Sequence, residues 1–170
     1  MADGGTSTII MLVTALLIST AASAVLVQEW SSTTRIIQKQ QKGLQLSEEI
    51  AIDFAGDPMM VSLTTSGVSG DKQLTFYIQN TGSHVMDHLS LAVLINGESL
   101  DFLPISLDFV PLTSTTWAPN TLLRVMFENP SFNALNDNTE ISLFATARSV
   151  EVSGMSMSAN LNEEVRLHES

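Results

Sequence analysis

The sequence predicts a mainly β protein in which a long N-terminal transmembrane α-helix precedes an antiparallel immunoglobulin-like β-sandwich. Three observations carry this prediction: an uncharged apolar stretch near the start, its proline-free continuation, and alternating runs separated by turn residues over the remainder. The 170 residues suit one domain with an appendage. We expect the helix and its extension at 1–49, the sandwich at 50–158 and a polar C-terminal tail at 159–170.

The apolar stretch Ile9–Val27 has nineteen residues without charge, proline or glycine. As a helix it would span roughly 28 Å, close to the thickness of a bilayer's hydrocarbon core. A cleaved signal peptide normally has a basic start and a shorter apolar core, whereas Asp3 is the only charged side chain before Ile9. We therefore expect a retained single-pass anchor. Its anchoring and assembly residues are Ile9, Ile10, Leu12, Val13, Leu16, Leu17, Ile18, Val25, Leu26, Val27 and Trp30.

Small residues occur at Thr14 and from Ser19 to Ala24, and most of them lie in the second half of this stretch. They let helix backbones approach closely, which favours self-association through the helix. No proline occurs between Gln28 and Glu49, so the helix is expected to continue beyond the membrane surface. The β-branched run between Thr33 and Ile37 is the place where a break is expected, if there is one.

After Glu49 the period of the hydrophobic pattern changes from that of a helix to that of strands. Four alternating runs predict inward-facing residues, and the run around Gly56–Pro58 reads as one or two interrupted strands. Asn96-Gly97 is typical of a two-residue hairpin turn. The inward residues are Leu74, Phe76 and Ile78; Leu89, Leu91, Val93 and Ile95; Leu123, Val125 and Phe127; and Ile141, Leu143, Ala145, Ala147, Val150 and Val152.

The charge is distributed unevenly. The net charge is −11, and from Leu44 onward sixteen carboxylates stand against four cations. An acidic distal part argues against binding nucleic acid, which requires clustered cations. The chain has no cysteine, so disulfides and thiolate metal sites are excluded.

No convincing catalytic or metal-binding motif is found, and we expect neither an enzyme nor a cofactor. His84, Asp87 and His88 form an H-x-x-D-H cluster, but no second liganding group at suitable spacing follows. The oxygen-rich segment Asn136–Glu140 lacks the regular alternation and the glycine of an EF-hand loop. Both are expected to be solvated polar loops, while Trp117 is equally compatible with a core or an interface position.

Several stretches together resemble accessory proteins of the archaeal flagellum (archaellum), and the FlaG family in particular. They are the start as far as Val27, "LQLSEEIAIDFAGDP", "LTFYIQNTGSHVMDHLSLAVLINGESL" and "WAPNTLLRVMFENP". The most specific part of the resemblance is the order of three features. A strand is followed by Asn80-Thr81-Gly82, and then by a second strand that ends at Asn96-Gly97. Two positions depart from the family pattern: no Lys or Arg precedes the helix, and Asn120 stands where a glycine is expected after Pro119.

The resemblance implies a stator-type subunit with a pilin-like N-terminal helix in the cytoplasmic membrane, whose sandwich lies outside the cytoplasm, in the archaeal pseudoperiplasm. The implied partners are further copies of the chain, a FlaF-like sibling, the archaellum motor components and the cell-surface layer. The positive-inside rule opposes this topology, because Arg35, Lys39 and Lys42 lie on the sandwich side of the anchor.

Two other readings remain open. A filament-forming subunit similar to archaellins or type IV pilins would be processed before the helix and would form long homopolymers. A membrane-tethered enzyme or solute-binding module would require a pocket with convergent polar groups.

Overall fold

The computed structural model describes residues 4–99, 106–152 and 154–169. The chain forms two compact units, Met1–Leu44 and Gln45–Ser170. The domain boundary predicted at 49/50 does not coincide with the boundary between these units. It coincides with the end of the helix. The last helical turn belongs to the second unit because Leu46, together with the following Ile50, is buried in the core of the sheet.

The helix α1 runs without interruption from Gly4 to Glu49. The β-branched run after Ser32 does not break it. In that region the hydroxyl of Thr34 donates to the main-chain oxygen of Trp30 at 2.9 Å, one turn earlier, as Ser32 does to Gln28 at 3.0 Å. At the other end, the N–H of Ser83 donates to the main-chain oxygen of Glu49 at 2.8 Å, so the carbonyl of the last helical residue has a hydrogen-bond donor in the loop formed by residues 80–84.

In the described residues after α1, nine strands and one short 3₁₀ helix follow. The 3₁₀ helix, Pro130–Ala134, begins after Asn129, whose side chain accepts from the N–H of Ser131 at 2.9 Å. The strands are β1 (Ile52–Ala55), β2 (Val61–Thr65), β3 (Lys72–Asn80), β4 (Met86–Ile95), β5 (Glu98–Ser99), β6 (Ser106–Val110), β7 (Leu122–Glu128), β8 (Glu140–Ser149) and β9 (Ser158–Glu169).

The strands form one curled, mostly antiparallel sheet in the order β5-β4-β8-β9-β2-β3-β7-β6, with β1 also paired to β3. The long strand β9 joins its two halves. It pairs antiparallel with β8 over most of its length, and its last residues pair parallel with β2. The inner faces of the two halves enclose the hydrophobic core, which confirms the predicted fold class.

Two of the predicted turns are present. The first run after the helix is split at Gly56–Pro58 into β1 and β2, which pair with the two halves of β3. Asn96 and Gly97 both have positive φ, 52° and 78°, and connect β4 to β5. Asn-Gly is favoured at this turn because both residues tolerate that conformation.

Most of the predicted inward residues are buried, but Leu89 is 81% exposed. The prediction assumed unbroken alternation along β4, whereas the register against β8 shifts between Asp87 and Ala92. An irregularity of this kind turns the side chains on one side of it to the other face. Val150 is also half exposed, because it lies beyond the end of β8.

The segment expected to be a polar tail is instead strand β9. Although this segment is rich in polar residues, every second side chain over most of the strand faces the core. Ala159, Leu161, Val165 and Leu167 are all buried, with exposed fractions of 6% or less. The C-terminal residues therefore belong to the sandwich.

Candidate functional site: the apolar helix surface and the helix-end clasp

The apolar part of α1 presents its side chains to the outside. Within the part of the chain that the structure describes, α1 is the one helix long and apolar enough to span a membrane. The predicted anchoring residues are all at least half exposed, from Val13 at 50% to Trp30 at 79%. In water such a continuous apolar surface is unfavourable, so this segment requires lipid or neighbouring helices around it.

Three hydroxyl groups in this segment have partners within the helix. Thr14 donates to the main-chain oxygen of Ile10 at 2.8 Å, Thr20 to that of Leu16 at 2.9 Å, and Ser23 to that of Ser19 at 2.9 Å. Because a hydroxyl without a partner is costly in hydrocarbon, these bonds make the polar residues compatible with an apolar environment. The small side chains remain available for close packing against another helix.

At its C-terminal end, the last turn of α1 is held by the loop Asn80–His84, and we call this arrangement the helix-end clasp. The N–H groups of Thr81 and Gly82 both donate to the main-chain oxygen of Ala51, at 3.1 and 3.0 Å. A Cβ on Gly82 would lie 2.6 Å from the main-chain oxygen of Glu49. Only glycine allows the loop to approach the helix end this closely.

Asn80 fixes the shape of the clasp from inside the protein. Its side chain is fully buried, and the amide donates to the main-chain oxygens of His84 at 2.8 Å and Trp117 at 2.9 Å. Its side-chain oxygen accepts from the N–H of Gly82 at 3.1 Å. One buried side chain therefore ties the clasp loop to the segment before β7.

Trp117 is part of the same buried network, which settles its position as core. Its indole is fully buried, and Nε1 donates to the main-chain oxygen of Thr121 at 3.1 Å. The intervening turn contains Asn120, which adopts a positive φ of 62°. Asparagine is one of the few residues other than glycine that enter this region readily, so the turn does not require a glycine.

A charged contact lies at the edge of the clasp. Nε2 of His84 lies 2.7 Å from a carboxylate oxygen of Glu49. The hydrogen bond from His84, then one from Gln45, lowers the pKa of Glu49 below its ordinary value of 4.5. The ionised carboxylate of Glu49 is thereby favoured in the folded protein.

The predicted polar clusters do not form a metal site. His84 contacts Glu49, the side chain of Asp87 accepts from the N–H of Leu89, and His88 packs edge-on against Phe109. Among the described residues, no group of three or more His, Cys, Asp or Glu side chains could hold a metal ion.

The side chains of the oxygen-rich segment Asn136–Glu140 likewise make contacts within the sandwich. Asp137 accepts from the N–H of Glu169 at 3.0 Å, and Glu140 pairs with Arg166. These contacts fasten the end of β9, since Glu169 and Arg166 both lie on that strand.

Two cavities lined by described residues of the sandwich are small and shallow. One of about 160 Å³ lies where β1 and β2 separate, beside Met60 and Tyr77, and another of about 190 Å³ lies between the Asn96 turn and Phe132. Neither brings together a set of convergent polar groups of the kind that substrate sites use.

The sequence contains a signal for the clasp. An Asn-x-Gly directly after an apolar strand, as at Asn80 and Gly82, is compatible with a buried capping amide and a close backbone approach. The partner of that approach, the end of α1, could not be found without the three-dimensional structure.

Comparison with known proteins gives the family. The model of the archaeal-type flagellin family matches residues 2–153, which include α1, the clasp and the sandwich through β8. No curated protein matches the chain significantly. With a family match over most of its length, the chain belongs to the archaeal-type flagellin family and is an archaellum-related protein.

Proposed function

We propose that the protein is a structural subunit of the archaellum that stays in the cytoplasmic membrane through Ile9–Val27 and presents its sandwich outside the cytoplasm. The observation that carries the proposal is the exposed apolar surface of α1. The length of this segment matches a bilayer, and the hydroxyls of Thr14, Thr20 and Ser23 have partners within the helix. The finer role we propose is that of a stator-type link between the rotary machinery and the cell envelope.

Several features support a role in transmitting force rather than in chemistry. The end of α1 is held by main-chain hydrogen bonds, by the buried Asn80 amide and by a glycine that leaves no free space. A load applied to this turn therefore passes into the core of the sandwich. On this proposal, the partners are further copies through α1, a FlaF-like sibling, the archaellum motor components and the cell-surface layer.

The second candidate is a filament-forming subunit, and the family match favours it. Archaeal-type flagellin is the family whose model covers residues 2–153. In this role α1 would leave the membrane and pack against copies of itself in a filament. The small residues from Ser19 to Ala24 suit such packing equally well.

Protease treatment of intact spheroplasts, combined with N-terminal sequencing, tests the proposal. The stator-type role predicts a sandwich that is cleaved from outside, a helix that remains in the membrane fraction and a start that is not trimmed. A sandwich protected until the membrane is opened would contradict the topology. A trimmed start together with long homopolymers in electron micrographs would favour the filament subunit.

A further inference from the structure

The part of α1 that follows the apolar segment has one cationic face. Arg35, Lys39 and Lys42 are spaced by four and three residues. At 3.6 residues per turn they fall within about 60° of one another around the helix. All three residues are exposed. They are the only Lys or Arg residues before Lys72.

This face has no acidic partner within the described part of the chain. The Lys and Arg ion pairs there are formed by Lys72, Arg124 and Arg166, each with a carboxylate of the sandwich itself. Arg35, Lys39 and Lys42 take part in none of them. The cations of the sandwich are thus mostly neutralised in place, whereas those of the helix are not.

The sandwich unit has the opposite charge. From Gln45 onward, sixteen carboxylates stand against four cations, a net charge of −12. Copies brought together through their helices would therefore place strongly acidic units near one another, and the repulsion between them opposes assembly. A cationic surface that meets these units relieves this repulsion.

We propose that the cationic face of α1, formed by Arg35, Lys39 and Lys42, docks on the acidic sandwich of a second copy of the chain. The inference rests on the proposed function, because it takes assembly through α1 as given and identifies the surface that sets how neighbouring copies meet. The partner follows from charge complementarity between a face with three unpaired cations and a unit of net charge −12.

An anionic lipid surface fits this face less well. Arg35 follows Val27 by eight residues and Lys42 by fifteen, which is about 12 and 22 Å along the helix. The headgroup layer of one leaflet is only about 5–8 Å thick. Lys42 therefore lies more than a Debye length, about 8 Å, beyond it.

Zero-length carbodiimide cross-linking of the full chain in vesicles of zwitterionic lipid tests the inference. A mixture of ¹⁴N- and ¹⁵N-labelled protein distinguishes cross-links between copies from those within one copy. We expect Lys39 and Lys42 to be joined to carboxylates of residues 45–170 across the isotope boundary. Lys72, whose amine lies 3.2 Å from Glu169, is the internal reference and should give a cross-link within one copy.

Two variants distinguish the effect of where the cations lie on the helix from the effect of the net charge. In R35Q/K39Q/K42Q the cations are removed, and self-association measured by energy transfer between labelled copies should weaken about tenfold. In K39Q/K42Q/T33K/Q40K the net charge is unchanged, but two cations move to the opposite side of the helix. A weakening in this variant as well supports a specific face.

The outcomes separate this inference from the proposed function. If the copies associate but Lys39 and Lys42 react only within one copy, or the variants associate as the wild type does, the docking is wrong and assembly through α1 stands. Association that requires anionic lipid and depends on the three cations would assign the face to the membrane and overturn the docking. A wild type that stays monomeric in lipid overturns both.

Discussion

The side-chain amide of Asn80 donates to the main-chain oxygen of Trp117 at 2.9 Å, although thirty-seven residues separate the two positions. The same amide satisfies the main-chain oxygen of His84. Asn80→Ala leaves both carbonyl groups without this donor, and it removes a side chain that is fully buried. We expect the free energy of unfolding to fall by about 2 kcal/mol or more. Urea unfolding of the full chain in detergent, followed by Trp117 fluorescence in a Trp30→Phe background, measures this.

Asn160→Ala is the matched control for Asn80→Ala. Asn160 lies on β9 with an exposed side chain, and the change there should leave the unfolding midpoint within experimental error. Equal effects of the two substitutions would show that the buried amide does not hold the clasp together.

Gly82 gives a second, independent test of the clasp. A Cβ at this position would lie 2.6 Å from the main-chain oxygen of Glu49 and 2.7 Å from the main-chain nitrogen of Ala51. Both obstacles are backbone atoms, so a side-chain rotation cannot relieve the clash. Gly82→Ala should destabilise the sandwich by about 1–3 kcal/mol and should increase amide hydrogen exchange at Thr81 and Ser83, whose N–H groups donate to the main-chain oxygens of Ala51 and Glu49.

Gly67→Ala provides the comparison for Gly82→Ala. No heavy atom lies within 4 Å of a Cβ at Gly67, and the residue has no positive φ. Its replacement should be neutral or slightly stabilising, because alanine restricts the unfolded chain. A destabilisation at Gly67 as large as that at Gly82 would contradict the explanation by close approach.

The anchoring role of α1 can be tested at its centre. Ile18 is the middle residue of Ile9–Val27 and is 65% exposed. A lysine there costs about 3 kcal/mol on insertion into a bilayer. Ile18→Lys should therefore move a large fraction of the protein from the carbonate-resistant membrane fraction to the soluble or aggregated fraction. Ile36→Lys, beyond the apolar segment, should stay in the membrane, and loss of both variants would argue against a lipid-embedded Ile9–Val27.

The sandwich should lose stability in acid through Asp108. The hydrogen bond from Arg124, then one from Ser106, lowers the pKa of this carboxyl below its ordinary value of 3.8. A group with a lowered pKa stabilises the fold above its unfolded pKa and loses this effect as the pH falls through the folded pKa. The difference in unfolding free energy between wild type and Asp108→Asn should thus be largest near neutral pH and should shrink below about pH 3.8. A difference that does not change with pH would assign the effect to packing.

The elements of this fold were predictable wherever the local pattern was regular. The nineteen apolar residues of α1, the alternation of β3 around Phe76 and the Asn-Gly turn each follow from local preferences. The outward turn of Leu89 did not, because the irregularity in β4 is set by pairing with β8. The clasp could not be predicted for a similar reason. Asn80 contacts Trp117, and Gly82 contacts Glu49, only after the sheet has formed.

The role of the C-terminal strand β9 can also be tested. Its sequence resembles that of a polar tail, whereas in the structure it joins the two halves of the sheet. Leu167 is 1% exposed and lies opposite Val61 of β2 in the parallel pair. Leu167→Ala removes buried volume at this joint and should cost about 2–5 kcal/mol. The exposed neighbour Glu164, changed to Ala, is the control on the same strand and should cost little. A Leu167→Ala protein that unfolds at the wild-type urea concentration would mean that β9 does not contribute to the stability of the sandwich, and that its pairing with β2 does not persist in solution.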